Sequence, residues 1–491
     1  MNELLLTRMQ ELRDLLALSG LAGWDQETYM PKKAEAARGA QLGTISGLYH
    51  ERVTDPRLGE WLDRPDAKTA DEQAMVRLLI RERDRAVKVP GALVKAIAEG
   101  QSSALAAWRE ARTKKDFSVF RPQLEAMLKL RREQADAYGH SGERYDALLE
   151  NYEPGMRVAR LTPVLASLRS KLVPLVEKIE ARPKPLDVFA GQTFDVESQW
   201  RVTMELLKNI GFDLEAGRQD KSIHPFSSGL HATDVRVTTR LDASLPLMAI
   251  FGTIHEAGHG LFEQGFAQSD SRTVLAQAPS MGLHESQSRL WENLIGRSRA
   301  YWQFAYPLVQ KAFPSALGHR SLDEWYRAVN RVERSFIRVE ADEVTYNLHI
   351  VLRYELELAM LRGELAIADL EPAWNEKTKS MLGLEVKSPL DGVLQDIHWA
   401  WAEFGYFPTY SLGNLYSASL LAAARKALTG LDASIAKGDT SPLLGWLRTH
   451  VHRRGARLDA EDLVREVTGQ GLTDVDFMAF LNQKYGELYG V

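Results

Sequence analysis

From Asp71 to Val89 the chain runs without proline or glycine, and its apolar residues recur at three- and four-residue spacing. Stretches of this kind, rich in Ala, Leu, Glu and Arg, fill most of the 491 residues and commit the chain to a mostly α fold. The strongest start signal is Ser321-Leu-Asp-Glu324, a capping box followed by no proline or glycine until Gly363. It predicts one very long helix, or two nearly continuous ones. Strand-like alternation is confined to Leu186–Gln199 and to Leu230–Leu241, where Val235 and Val237 alternate with polar neighbours, so a small accessory sheet is expected within about 186–241. Proline-bearing breaks at Arg182–Leu186 and Ser388–Leu390 read as loops within one body. With no repeat and no linker-like tract, residues 1–491 are expected to form a single helical domain.

Composition removes whole classes of chemistry. There is no cysteine, so disulfides, thiolate nucleophiles and cysteine metal sites are excluded, and any metal must be held by histidine and carboxylate. A net charge of −5, with both signs well mixed, argues against a nucleic-acid binder. Charges at Glu3, Arg8, Glu11, Arg13 and Asp14 rule out a membrane span or secretory leader over the first residues, and a cytoplasmic location is expected.

Eight of the twelve histidines lie between His224 and His398, which marks that window as the place for chemistry. Ser244 can cap, and Leu245-Pro246 can open, a helix that carries His255-Glu256-Ala257-Gly258-His259 and is followed by Gly265. Two histidines at i and i+4 project from one helix face, close enough to share a zinc ion at roughly 2.0–2.1 Å. Glu256 points beside the metal, where a carboxylate can take a proton from bound water. The bland alternative is a helix with surface histidines. A hydrolytic zinc site needs a third protein ligand. The variant with a nearby third histidine is excluded, because Phe262 and Gly265 stand where it needs Gly and His. The ligand is then expected to be a downstream carboxylate: Glu285, 26 residues past His259, with Glu292 as the rival. Arg289, at i+4 from Glu285, is placed to hold that carboxylate or to form a plain helix salt bridge.

The blocks His224-Pro-Phe226, Asp234-Val-Arg236-Val-Thr238, His255-Glu-Ala-Gly-His259, His284-Glu-Ser-Gln287, Ile337-Arg338-Val-Glu-Ala341-Asp342 and Gly392-Val-Leu-Gln395-Asp396-Ile-His398-Trp399 follow one another in that order. Outside them, Gly23-Trp-Asp-Gln-Glu-Thr-Tyr-Met-Pro31 and Phe404-Gly-Tyr-Phe-Pro-Thr-Tyr-Ser-Leu-Gly-Asn414 extend the pattern. In these blocks the sequence resembles the thermostable carboxypeptidases of the carboxypeptidase Taq type, which are zinc metallocarboxypeptidases. The resemblance implies a saddle-shaped, helical homodimer with a deep active-site groove and a small sheet, and removal of single residues from peptide C-termini. It implies His255, His259 and Glu285 as zinc ligands and Glu256 as the catalytic acid and base, with the catalytic blocks spanning about 224–414.

A carboxypeptidase must read a free terminal carboxylate, and the planar fork of arginine is suited to that. Arg236, on the predicted strand, and Arg353, one turn beyond His349, are the candidates, with His349 as a further substrate-binding residue. Arg338, Asp342, Tyr346, His349 and Arg353 recur at spacings of four, four, three and four, a polar stripe that faces either a groove or solvent. His398, Tyr406 and Tyr410 are candidate donors to an oxyanion. The surrounding Trp399, Trp401, Phe404 and Phe407 favour the alternative in which the tyrosines only pack. His224 and His231 read equally as site supports or loop histidines. The expected activity is therefore zinc-dependent removal of C-terminal residues, with cobalt as an alternative metal. The rivals are a zinc oligopeptidase that cuts internal bonds and a helical interaction protein with an inert metal site.

Overall fold

The computed structural model describes residues 1–491. Four helices open the chain: α1 (Glu3–Thr28), α2 (Glu35–Thr54), α3 (Pro56–Asp63) and α4 (Ala70–Lys88). They bury a core of 13 residues, among them Leu5, Met9, Leu12, Leu58 and Leu79, which Val274, Leu275 and Ala456 complete from elsewhere in the chain. A separate core of 102 buried residues unites the later helices and the sheet. No helix is long and apolar enough to cross a membrane.

The sheet has three strands, β1 (Gly217–Lys221), β2 (Ser227–His231) and β3 (Asp234–Thr239), in the order β1-β3-β2, with β1 parallel and β2 antiparallel to β3. Alternation along β3 sets its two faces. Val235 and Val237 are fully buried, and β3 packs on the helix Pro246–Glu263, hereafter the histidine helix. Arg236 points the other way, as it must between two inward valines.

The Leu186–Gln199 segment is not a strand. Asp187 Oδ1 accepts the N–H groups of Phe189 and Ala190, and Asp195 caps a helix at Val196–Asn209. Local side-chain acceptors thus take the donors a strand ladder would need, while Val188 and Phe194 are buried one by one. The long helix expected from Ser321 to Gly363 is also broken. The Ser321–Glu324 capping box forms as expected, but its helix, Leu322–Val329, stops at Asn330, and apart from one 3₁₀ turn at Arg338–Glu340 helix resumes only at Tyr346–Arg362, the arginine helix. Between them, Asp342 accepts the N–H groups of Glu333, Val344 and Thr345, and Gln395 Oε1 takes that of Arg338. Arg338 and Asp342 are therefore not part of a helical stripe.

Three helices meet at the centre. The glutamate helix, Met281–Arg289, packs on the histidine helix and on the tyrosine helix, Pro408–Ala427. Glycines allow the contact. A Cβ on Gly258 would lie 2.6 Å from the Cα of Ser288, and one on Gly413 would lie 2.5 Å from Cγ of Glu285.

Candidate metal and peptide site

The histidine helix opens with Pro246 at its first turn and runs to Glu263. Ser244 bonds to Asp242 and does not cap it. The glutamate helix starts where the Ser280 hydroxyl accepts the N–H of Leu283 and the buried carboxylate of Glu153 accepts that of Gly282. After Arg289 the chain widens into a π-turn, Leu290–Ile295, which a bare Gly296 permits, since a Cβ there would lie 2.7 Å from the Glu292 carbonyl.

These elements bring together His255, His259 and Glu285, with one ligand atom from each lying within 4.8 Å of the others. Glu285 Oε2 is 3.6 Å from His255 Nε2 and 3.4 Å from His259 Nε2. A tetrahedron with bonds of roughly 2.0–2.1 Å has edges of about 3.4 Å, so the donor set fits a metal such as zinc. Both remaining ring nitrogens are engaged. His255 Nδ1 donates to Glu292 Oε2 at 2.8 Å, and His259 Nδ1 donates to the backbone carbonyl of His284 at 3.1 Å, so each Nε2 is turned inward. Arg289 Nε donates to Glu285 Oε1 at 2.7 Å, as its i+4 spacing anticipates, and Arg289 also lies 3.4 Å from Glu292. Glu292, the rival ligand, is thus the residue that orients His255. Its position inside a π-turn has no periodic signature, which is why sequence reading left it as a competitor of Glu285.

Electrostatics separate the carboxylates. Burial pushes the Glu256 pKa up from 4.5 to about 7, outweighing the charge of His255. Burial also opposes charge on Glu285, but Arg289, His255 and His259 overcome it and hold that carboxyl well below its ordinary value. Burial disfavours the imidazolium of His255, yet Glu285, Glu292 and Glu256 raise its pKa to about 9. The ring of His284 stacks on His259 at 4.1 Å between centroids and lines an open cavity of about 810 Å³, together with Glu263, Tyr152, Ser280 and His231.

Tyr410 lies on the tyrosine helix, less than one turn before the Gly413 that touches Glu285. Its hydroxyl is 3.3 Å from His398 Nε2, and Tyr406 packs edge-on to it at 5.3 Å. Burial raises both tyrosine pKa values, and the charge of Glu285 reaches both hydroxyls and adds to that. Tyr406 and Tyr410 thus lie within reach of the charge of Glu285, with His398 against Tyr410.

The arginines are arranged differently from expectation. Arg236 pairs with Asp234 and lies over the ring of Trp24 at 4.2 Å, so it holds α1 to the sheet, on the face opposite Val235 and Val237. Its strand neighbour Arg218 covers the same indole at 5.2 Å. Arg353 is fully buried, donates to Asp396 Oδ2 at 2.6 Å and to the His349 carbonyl at 2.9 Å, and offers no face to a peptide. His349 is buried as well, and burial together with Arg353 and Arg338 lowers its pKa to about 3. Sequence reading missed Arg338 as the candidate reader. It pairs with Asp396 Oδ1 at 3.0 Å, donates to the Tyr346 hydroxyl at 3.1 Å and lies 4.9 Å over the ring of Tyr410. Its presence in the Ile337–Asp342 block was the available signal. His224 is an exposed loop residue, and His231 bonds to Thr233.

The fold and this site are those of a helical metallopeptidase. Residues 4–485 match the family described as Carboxypeptidase Taq (M32) metallopeptidase, and the chain belongs to that family of metallocarboxypeptidases. Thermostable carboxypeptidase 1 of Thermus thermophilus is 43% identical over 502 residues, covering 99% of this chain and 98% of that protein. Carboxypeptidase 1 of Bacillus subtilis is 38% identical over 490 residues, covering 99% and 97%. Among solved structures, the M32 carboxypeptidase from Deinococcus radiodurans R1 superposes with a TM-score of 0.97 at 40% identity, over 100% of this chain and 99% of that one. The Pyrococcus furiosus carboxypeptidase superposes with a TM-score of 0.96 at 34% identity, over 99% of each chain. The oligopeptidase and inert-site alternatives are not favoured by these relatives.

Proposed function

We propose that the chain removes C-terminal residues from peptides with zinc held by His255, His259 and Glu285 and with Glu256 as the proton carrier. A zinc ion in that donor set supplies a Lewis acid for the scissile carbonyl and lowers the pKa of water; cobalt is a second occupant that the same donors accept. Glu256 takes a proton from the attacking water and returns it to the leaving amine, a task suited to a carboxyl whose pKa lies near 7. Tyr410, held by His398, and Tyr406 beside it are the donors to the oxyanion. A well-placed donor of this kind contributes about 2.7–4 kcal/mol.

One observation carries the preference for a terminal carboxylate. Arg338 and Arg353, both buried, share the single aspartate Asp396, which leaves one positive charge without a carboxylate of its own, and the Arg338 guanidinium covers the ring of Tyr410. Such a charge favours an anion, and a peptide C-terminus supplies one in bidentate geometry. Arg338 is assigned as the reader, and Arg353 as the residue that fixes Asp396 from behind. A homodimer, carried over from the family resemblance, and a cytoplasmic location complete the reading, and sedimentation and cell fractionation check them.

The test is an N-blocked peptide offered as the free acid and as the C-terminal amide, with products followed by mass. Free acid alone should be shortened, one residue at a time. Arg338→Ala should lower kcat/KM about ten- to a few hundredfold with zinc retained, the loss of a charged hydrogen bond worth roughly 1.5–3 kcal/mol. Equal cleavage of the amide, or internal fragments appearing first, would overturn the assignment.

A further inference from the structure

Between Asp391 and Phe407 the chain forms only turns, yet it carries Asp396, His398 and Tyr406 to the site. What fixes these turns is one face of the arginine helix. Arg353 grips Asp396, and one turn later the carboxylate of Glu357, which is fully buried, accepts three hydrogen bonds. Trp399 Nε1 donates to its Oε1 at 2.8 Å, and the backbone N–H of Gly405 donates to its Oε2 at 3.1 Å. The Tyr145 hydroxyl, from the short helix Arg144–Leu149, donates to the same Oε2 at 2.9 Å. Trp399 directly follows His398, and Gly405 directly precedes Tyr406.

Gly405 has φ +88°, and a Cβ there would lie 3.0 Å from the backbone nitrogen of Leu149. The turn is thus pressed against the Tyr145 helix and cannot slide outward without losing both the Glu357 bond and that contact. A backbone tied at both flanks of the His398–Tyr406 segment has little freedom to redirect either side chain.

Resting on the roles proposed above for His398, Tyr406 and Tyr410, we infer that Glu357 is a positioning residue for the reaction: it clamps Trp399 and Gly405 together and so aims His398 and Tyr406 at the scissile bond. It touches neither peptide nor metal ligands. Two of its three bonds run to the turn and one runs to Tyr145 on the opposite side, which makes the inference separable from a general loss of stability.

The experiment measures kcat, KM, zinc per chain and Tm with a free-acid peptide for Glu357→Gln, Trp399→Phe and Tyr145→Phe. Glu357→Gln and Trp399→Phe should lower kcat about 10- to 100-fold, with KM within about threefold and zinc content unchanged. Tyr145→Phe removes the bond that does not reach the turn, and its kcat should stay within about twofold of the parent even where Tm falls. Should Glu357→Gln fail to fold, the comparison of Trp399→Phe with Tyr145→Phe decides. A parent-like kcat in Glu357→Gln, or in Trp399→Phe where that variant decides, or an equal loss in Tyr145→Phe, overturns the inference. Alongside these, Tyr406→Phe, Tyr410→Phe and His398→Ala test the underlying reading. If all three keep full turnover, that reading fails and this inference with it; if they are slow while Glu357→Gln is not, only the clamp is refuted.

Discussion

Glu256 directly follows His255 and is buried, yet no carboxylate other than Glu285 converges with the imidazoles of His255 and His259. Glu256→Gln should therefore keep its zinc while turnover falls by about 10²–10⁴. A zinc-replete variant with normal turnover would assign the proton transfer elsewhere. The two acidic residues that sequence reading set against each other now make different predictions. Glu285→Ala should lose zinc on dialysis against a mild chelator, because two imidazoles remain and the buried charged ligand is gone. Glu292→Gln keeps all three ligands but weakens the anchor on His255, and should bind zinc about 10- to 100-fold less tightly. Zinc per chain, measured across a chelator series, separates them; the reverse ranking would exchange their roles.

Among elements, the histidine helix and β3 were readable from sequence because their patterns are local: proline at the first turn, paired histidines at i and i+4, valines at alternate positions. The break at 330–345 and the π-turn at Leu290–Ile295 were not. In both, side chains distant in sequence or an unusual hydrogen-bond register decide the backbone, and periodicity carries no record of either. Arg236, Arg338 and Arg353 could not be told apart for the same reason, since an arginine free to meet an anion and one that braces an aspartate or a tryptophan look alike in one dimension. The start of the glutamate helix offers an element-level test. Burial raises the Glu153 pKa from 4.5 to about 8, against the bonds from Ser280 and Gly282 that lower it. With the folded value above the unfolded one, its contribution to stability is complete below about pH 4.5 and is lost as pH rises towards 8. Glu153→Gln, which has no proton to lose, should thus gain in Tm relative to the parent between about pH 5 and about pH 9. A Tm difference that does not change with pH would show that Glu153 does not titrate across folding.

At the scale of the whole molecule, the two cores divide the labour. The helices that carry His255, His259, Glu285, Arg353 and Glu357 all pack their apolar residues into the larger one. The cavity beside His284 has walls from both: Arg13, Leu16, Tyr49 and Leu78 come from α1, α2 and α4, and Tyr152 and Ser280 come from the main body. The joint between them includes Trp24, covered by Arg218 and Arg236, and the Tyr29 hydroxyl, which donates to Asp220 at 2.5 Å. A core of 13 residues melts more readily than one of 102, so amide hydrogen exchange should be fastest in the first four helices and slowest in the histidine helix. Trp24→Ala should speed exchange in α1 alone and leave zinc content unchanged; uniform acceleration throughout the chain would show a single cooperative unit. Such a division would let the outer wall of the cavity beside His284 breathe on a timescale of its own, so that the mobility of that wall and the heat resistance of the larger core become separately adjustable traits.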